Sequence, residues 1–472
     1  MTISALTVLE VRSASSDTNG GGFVTGASGT DYSQQNAANS AGSNISTTDA
    51  VAVGTTTITS VTAAFTSAIV GNIIYLAGGT GSITAQWRQV TGFTNATTIT
   101  IDSSIAASTG MTMNIGGALA TPAKAISLMT VAGMITYIKA ATYAIGTNIV
   151  FPTVGGSGGC SYIIGYTTTR GDNGQATLQY TTTGTMISFT TISYSYCWQN
   201  IIFDGNSKTA SKFYTGSGYD IFWNCSFKNM SGTSALIGGN DFLGIYNSEI
   251  TGLTQTTNGG CTVTTTGNGG VVIDSTYIHG NTSTTAGAVI GPGTGTYANF
   301  TLTGNVFYST TTGNHVVIDT VCGGLIRNNV FDSAARAGIY YFNSGPAFPS
   351  IFNNIFTNNG TYGINASNAS LSASGTQATP FIHHNAYYNN TTAAYTGIVA
   401  GTGDVTLTGN PYVSVGSNFA LNNTTGQGAA CRAAGSPGLL PLNGNVGTGY
   451  LDIGPLQHQD PAASGSSYVF SG

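Results

Sequence analysis

The sequence predicts an all-β protein wound as a parallel β-helix, and three observations carry that reading. First, between about residues 196 and 390 one phrase recurs eight times: an Asn-like residue followed three positions later by a large apolar one. The instances are Asn200/Phe203, Asn224/Phe227, Asn247/Ile250, Asp274/Tyr277, Gly304/Phe307, Asn328/Phe331, Asn353/Phe356 and His384/Tyr387. Along the apolar column the steps are 24, 23, 27, 30, 24, 25 and 31 residues. Such periods belong to stacked repeats, in which no unit buries its apolar side alone. Second, the apolar runs inside a unit are short strands, as in Ile221-Phe222-Trp223, Gly270-Val271-Val272-Ile273 and Leu325-Ile326. Leu is scarce, which argues against a leucine-rich repeat. Third, Gly supplies 67 of 472 residues and charged side chains only 6%, against an average of roughly 25% charged. With 41% hydrophobic residues and 24 Tyr, the chain holds enough apolar surface for a large core and is not a disordered polar tract.

Asn and Gly suit the corners of such a coil, because both tolerate left-handed backbone. Stacked Asn side chains can also hydrogen-bond from coil to coil, so the Asn column reads first as a structural ladder.

In chain order, residues 1–50 read as a polar arm rich in Gly, Ser and Asn, including Asp17-Thr-Asn-Gly-Gly-Gly-Phe23. Ordering it costs roughly 1–2 kcal/mol per residue, so it is expected to become fixed only in an assembly. Residues 51–116 read as a small β domain, with Thr57-Ile58-Thr59, Ile73-Ile74-Tyr75-Leu76, Thr98-Ile99-Thr100-Ile101 and Met111-Thr112-Met113 between Gly and Thr turns. Residues 117–132 hold one helix, with Thr121 as N-cap and Pro122 at its first position. Its apolar face (Ala125, Ile126, Met129) is suited to cap an open solenoid end. Residues 133–460 are the β-helix, of roughly 13 coils at this period, and 461–472 a C-terminal tail.

At this point the chain resembles a known group. Gly133-Met-Ile-Thr-Tyr-Ile-Lys-Ala-Ala-Thr-Tyr143 is similar to the opening strand of right-handed parallel β-helix proteins of the pectate-lyase-like superfamily. Asn410-Pro-Tyr-Val413, Asn418-Phe-Ala-Leu421, Ala434-Gly-Ser-Pro437 and Leu451-Asp-Ile-Gly-Pro455 resemble the way such chains end. The opening Glu10-Val-Arg-Ser-Ala-Ser-Ser-Asp-Thr-Asn-Gly-Gly-Gly-Phe23, with Thr30-Asp-Tyr-Ser-Gln-Gln35, resembles β-helical structural proteins of tailed bacteriophages. The resemblance implies a three-faced, right-handed coil, homo-trimerisation, and a role in virion architecture or carbohydrate recognition. It further implies attachment to other capsid or tail proteins through the N-terminal region. Fold alone does not choose between these roles. The superfamily's lyases use a calcium site of Asp residues with an Arg or Lys base, and its hydrolases use clustered Asp. Neither pattern matches identifiable positions here, so no catalytic residue carries over.

Other classes are disfavoured. Net charge is −5 and the 11 Lys and Arg are scattered, leaving no basic stripe for nucleic acid. No run of about 18 apolar residues is present to span a bilayer. The six cysteines (Cys160, Cys197, Cys225, Cys261, Cys322, Cys431) show no CxxC and no zinc spacing, and read as small buried hydrophobes. No metal and no cofactor is expected. The first residues lack a basic segment followed by an apolar one, so no secretion signal is expected. Location on a virion surface, after assembly in the host cytoplasm, fits that reading.

With 16 carboxylates in all, a search for paired acids is short. Asp274 sits at the Asn-column position and Glu249 two places beyond that position one coil earlier. On a common strand face, one coil step and two residues separate them by about 8 Å. That separation suits an inverting glycosidase, one carboxylate as acid and the other as base. His279 is nearby in sequence. The same residues also fit a structural role, Asp274 as a ladder variant and Glu249 as a solvated charge. Asp319 with His315, and Asp332 with Arg327 and Arg336, read as loop charges.

Glycan binding demands less. The column just before the Asn column reads Gln199, Trp223, Tyr246, Ile273, Thr303, Arg327, Phe352 and His383. If it faces outward, Trp223 and Tyr246 can stack on a saccharide; if inward, they are core or subunit interface and their polar tips need partners. Two functions of different class follow. One is a non-enzymatic virion building block, a capsid decoration, head fibre or spike; the other is a tailspike-type depolymerase of host surface polysaccharide.

Overall fold

The computed structural model describes residues 4–37, 45–152, 159–189, 195–215, 218–233, 235–239, 242–257, 260–265, 270–285, 287–291, 299–318, 323–342, 348–367, 382–436 and 451–456. Three parallel sheets are wound from one chain into a β-helix, and the contacts divide it into two compact units: 1–208 with 213–226, and 209–212 with 227–472.

In the first unit, six strands from Ile45–Ala52 to Ser108–Ile115 close into an antiparallel barrel. Alternation builds it: Ile99, Ile101, Met111, Met113 and Ile115 point into one apolar core, and closure leaves no open edge. The short helix Pro122–Ser127 follows. Thr121 caps it by accepting from the Lys124 N–H at 3.1 Å, and Ala125, Ile126 and Met129 are buried.

The segment read as a polar arm is in fact built into this unit. Thr7–Val11 pairs in parallel with Ile135–Lys139, Val8 opposite Ile135, and antiparallel with Gly22–Val24. Buried charge holds it. Glu10, fully enclosed, binds Arg12 at 2.9 Å and Arg170 at 2.8 Å, and accepts from the Tyr166 hydroxyl. Arg170 also reaches Asp31 at 3.1 Å. In sequence Glu10 stood only as the first residue of the opening segment, with nothing to show that it is buried.

The first face of the β-helix carries four strands in the first unit after Thr7–Val11 (Ile135–Lys139, Cys160–Tyr166, Ser195–Gln199, Tyr219–Trp223) and six in the second. The expected 13 coils are therefore ten among the described residues. Early coils are longer than the period assumed, since Tyr162 pairs with both Ile135 and Cys197. The C-terminal segment also stops coiling and folds back. Tyr412–Ser414 and Asn418–Leu421 form an antiparallel hairpin. It packs with Leu407, Cys431 and Ile453 on the outward Val330, Ile355 and Ala386 of the second face.

From Asn200 onward each coil turns from first to second face at one left-handed residue. In order these are Asn200, Asn224, Asn247, Ser275, Gly304, Asn328, Asn353 and His384, with φ between 47° and 69°. The fourth is Ser275, so the repeat phrase was misplaced by one residue in that coil. Register confirms the shift: Ile250 pairs with Ile278 and Ile278 with Phe307. The true instance is Ser275/Ile278, and Asp274 belongs to the preceding column. Inside the second face Phe307, Phe331, Phe356 and Tyr387 stack at 4.9, 4.9 and 5.4 Å.

The amide ladder lies mainly one residue beyond the left-handed column. Asn305 Nδ2 donates to Asn329 Oδ1 at 3.0 Å, Asn329 to Asn354 at 3.0 Å and Asn354 to Asn385 at 3.1 Å, all fully buried. Each amide also donates to a main-chain carbonyl of a neighbouring coil. Asp404 ends the row by accepting from the Asn385 N–H. In the left-handed column itself, Asn224 donates to Asn200 at 2.7 Å.

Candidate functional site: an outward column and a corner groove

In the second unit the last residues of the first-face strands form a single column in register: Tyr246, Asp274, Thr303, Arg327, Phe352 and His383. Their preceding neighbours Ile245, Ile273, Leu302, Ile326 and Ile351 are fully buried, and alternation along a strand therefore turns the column outward. The expected column had Ile273 in place of Asp274; one residue of register puts a carboxylate there instead. Tyr246 and Asp274 are thus direct neighbours, and burial, then the charge of Asp274, raises the Tyr246 phenol. His383 stacks on Phe352 at 5.2 Å. Trp223, in the first unit, is 45% exposed and opposite Gln199, next to the buried Phe222. It too lies on the outer side, which removes the core alternative for both aromatics.

Asp274 and Glu249 do not share a strand face. Asp274 ends a first-face strand, whereas Glu249 begins a second-face strand opposite Tyr277, beyond the bend. The expected spacing of one coil and two residues rested on the misplaced phrase and does not hold. The Glu249 carboxylate meets His279 Nε2 at 3.0 Å, and the His279 ring stacks on Tyr277 at 4.1 Å. Asp274 Oδ1 accepts from the Ser275 hydroxyl at 2.6 Å.

Asp274 instead lines a groove of about 470 Å³ at the corner, with Tyr277 and Asn328 on the coil side and Ser417, Asn418 and Phe419 of the C-terminal hairpin opposite. The Tyr277 hydroxyl donates to the Gly416 carbonyl at 3.2 Å, fixing the hairpin wall. Asn328 is only 5% exposed, and its Oδ1 has no hydrogen-bond partner among the described residues. No sequence signal marked this wall, because the hairpin comes from about 140 residues downstream of Tyr277.

Two residues read as loop charges are strand residues in the core. Asp332, on Val330–Ala334, accepts from Thr357 Oγ1 at 2.6 Å and Asn358 Nδ2 at 2.7 Å. His315, on Asn314–Ile318, hydrogen-bonds the Asp332 carbonyl at 2.9 Å, and Thr357 meets the Tyr412 hydroxyl of the hairpin at 2.9 Å. Burial pushes His315 down to about 3 and raises the Asp332 carboxyl. Asp319 lies outside the described residues. This buried chain ties the hairpin to the coils and offers no reacting surface. Among the described residues no three His, Cys, Asp or Glu side chains gather to hold a metal ion, and no helix is long and apolar enough to cross a membrane. Cys225 and Cys431 are buried thiols, each pushed up to about 12 by burial, while Cys322 is outside the described residues.

Comparison with known proteins agrees with the fold. Residues 200–378 match the family described as right handed beta helix region. No curated protein matches the sequence. Among solved structures, ORF18 of Geobacillus virus E2 is 10% identical at a TM-score of 0.24, over 58% of this chain and 52% of that one. The chain thus spans about half the length of that viral protein. The catalytic domain of a GH87 alpha-1,3-glucanase in complex with tetrasaccharides is 12% identical at a TM-score of 0.23, over 77% and 88%. The tailspike protein gp49 from Pseudomonas phage LKA1 is 10% identical at 0.19, over 78% and 64%. These likenesses are too distant to carry an activity across. The chain is an all-β, right-handed parallel β-helix.

Proposed function

We propose that this chain is a surface β-helix of a tailed-phage virion that holds an extended saccharide along its outward column without cleaving it. One observation carries the binding reading. Tyr246, Asp274, Arg327 and His383 stand part-exposed on the outer side of one column in register, at roughly 4.8 Å per coil, with Thr303 and Phe352 covered between them. Rings stack on sugar faces and the polar groups bond hydroxyls, while the rigid coil spares the site any ordering on binding. The non-catalytic reading follows from the bend: Glu249 is engaged by His279 on the second face and Asp274 opens into the corner groove. The virion setting is supported by the resemblance of the opening residues to phage β-helical proteins. With it come a homo-trimer and attachment to capsid or tail proteins through the N-terminal region, as a capsid decoration, head fibre or spike.

The test has two parts. Immuno-electron microscopy of virions should show the chain on the particle surface; its absence from virions would remove the phage setting. Polysaccharide prepared from the host surface should bind the protein without release of shorter products. Oligosaccharide release abolished by Glu249→Gln or Asp274→Asn would replace this reading with a depolymerase.

A further inference from the structure

Resting on the saccharide-binding reading, we infer that the corner groove takes the ammonium group of an amino sugar. The groove's one ionisable acid is Asp274, and none of the residues that line it is Lys, Arg or His. Its Oδ1 already accepts from Ser275, which fixes the carboxylate's orientation. On the same side is the enclosed Asn328, whose Oδ1 has no partner among the described residues. Tyr277 and Phe419 supply aromatic walls, their rings 6.4 Å apart between centroids.

The complement of a carboxylate and an amide oxygen is a group that only donates. An ammonium offers three donors and no acceptor, whereas a sugar hydroxyl brings lone pairs as well. A charge-assisted bond to Asp274 is roughly twice as strong as a neutral one. A carboxylated or phosphorylated sugar would set its charge against the Asp274 carboxylate with no Lys, Arg or His in the lining to offset it.

The experiment is titration calorimetry of the full chain with a chitosan tetrasaccharide, its N-acetylated counterpart, and spermidine. The expected result is about tenfold tighter binding of the free-amine tetrasaccharide at low salt, a preference that Asp274→Asn abolishes. Asn328→Ala should weaken the same ligand by a smaller factor, and added salt should erode the preference. Unchanged thermal unfolding of Asp274→Asn would show that the loss is local.

Equal binding of the two tetrasaccharides overturns the ammonium inference and leaves the saccharide reading intact. Failure of both, with host polysaccharide still bound, does the same. Spermidine binding as tightly as the free-amine tetrasaccharide would assign the groove to polyamines and overturn the amino-sugar assignment. If no saccharide of any source binds, both readings fall together.

Discussion

Two columns run along the second unit only two residues apart in sequence, and they behave oppositely. The inner one, Asn305, Asn329, Asn354 and Asn385, is enclosed, and its amides bond one another and the coils around them. The outer one, Tyr246 to His383, changes residue type at every coil and faces outward. Uniformity belongs to the column the fold needs, because a buried amide ladder tolerates no gap. Variety belongs to the column the fold leaves alone. Two residues of sequence separate the enclosed amide ladder from the column proposed to bind saccharide.

The largest effect that would sharpen this contrast is expected inside. Asn329→Ala removes four hydrogen bonds and leaves the buried Asn305 N–H without its acceptor. A loss of about 4 kcal/mol follows from the burial of unsatisfied groups, read as a fall in urea midpoint. A change under about 1 kcal/mol would show that the ladder is decoration.

Acid should be the next strongest probe. His315 is held neutral, down at about 3, against about 6.5 in the unfolded chain. Below about pH 6.5 the unfolded state therefore binds a proton that the folded state refuses, and stability falls until about pH 3. Asp332, raised by burial, works the other way, favouring the folded state at low pH and disfavouring it as pH rises above about 4. Net loss between about pH 7 and pH 4 should be on the order of 3 kcal/mol from His315, less what Asp332 offsets. Unfolding curves of His315→Gln across that range should be flatter than wild type; an unchanged slope would remove His315 from the account.

The outer column should move stability least. Tyr246→Ala and Arg327→Ala should shift unfolding by no more than about 1 kcal/mol while weakening saccharide binding about tenfold. If either instead unfolds the coil, the column is structural and the contrast fails. Glu249→Gln should alter neither stability beyond about 0.5 kcal/mol nor binding, since its partner His279 is part-exposed and their pair is screened.

Much of the fold was legible, because corners need left-handed residues and Asn and Gly announce them. The one corner filled by Ser275 hid itself: Asp274 looked more Asn-like, and the phrase moved by one position. That shift placed Asp274 in the wrong column and made a carboxylate pair with Glu249 look feasible. The ladder was present in the doublets Asn328-Asn329 and Asn353-Asn354, but only the first member of each was weighed. Glu10 and the groove's far wall were beyond reach, because each depends on a partner brought from far along the chain: Arg170 for Glu10, the hairpin at Phe419 for Asp274. Local pattern fixes where the chain turns; it does not fix what comes back to cover it.

The outward column is proposed to bind saccharide and not to cut it. The most direct measurement incubates wild-type protein with host surface polysaccharide, following binding by calorimetry and products by chromatography in the same sample. Saturable binding with the polymer length unchanged, lost in Tyr246→Ala and kept in Glu249→Gln, is the predicted result. Shortened chains that disappear with Glu249→Gln would contradict it.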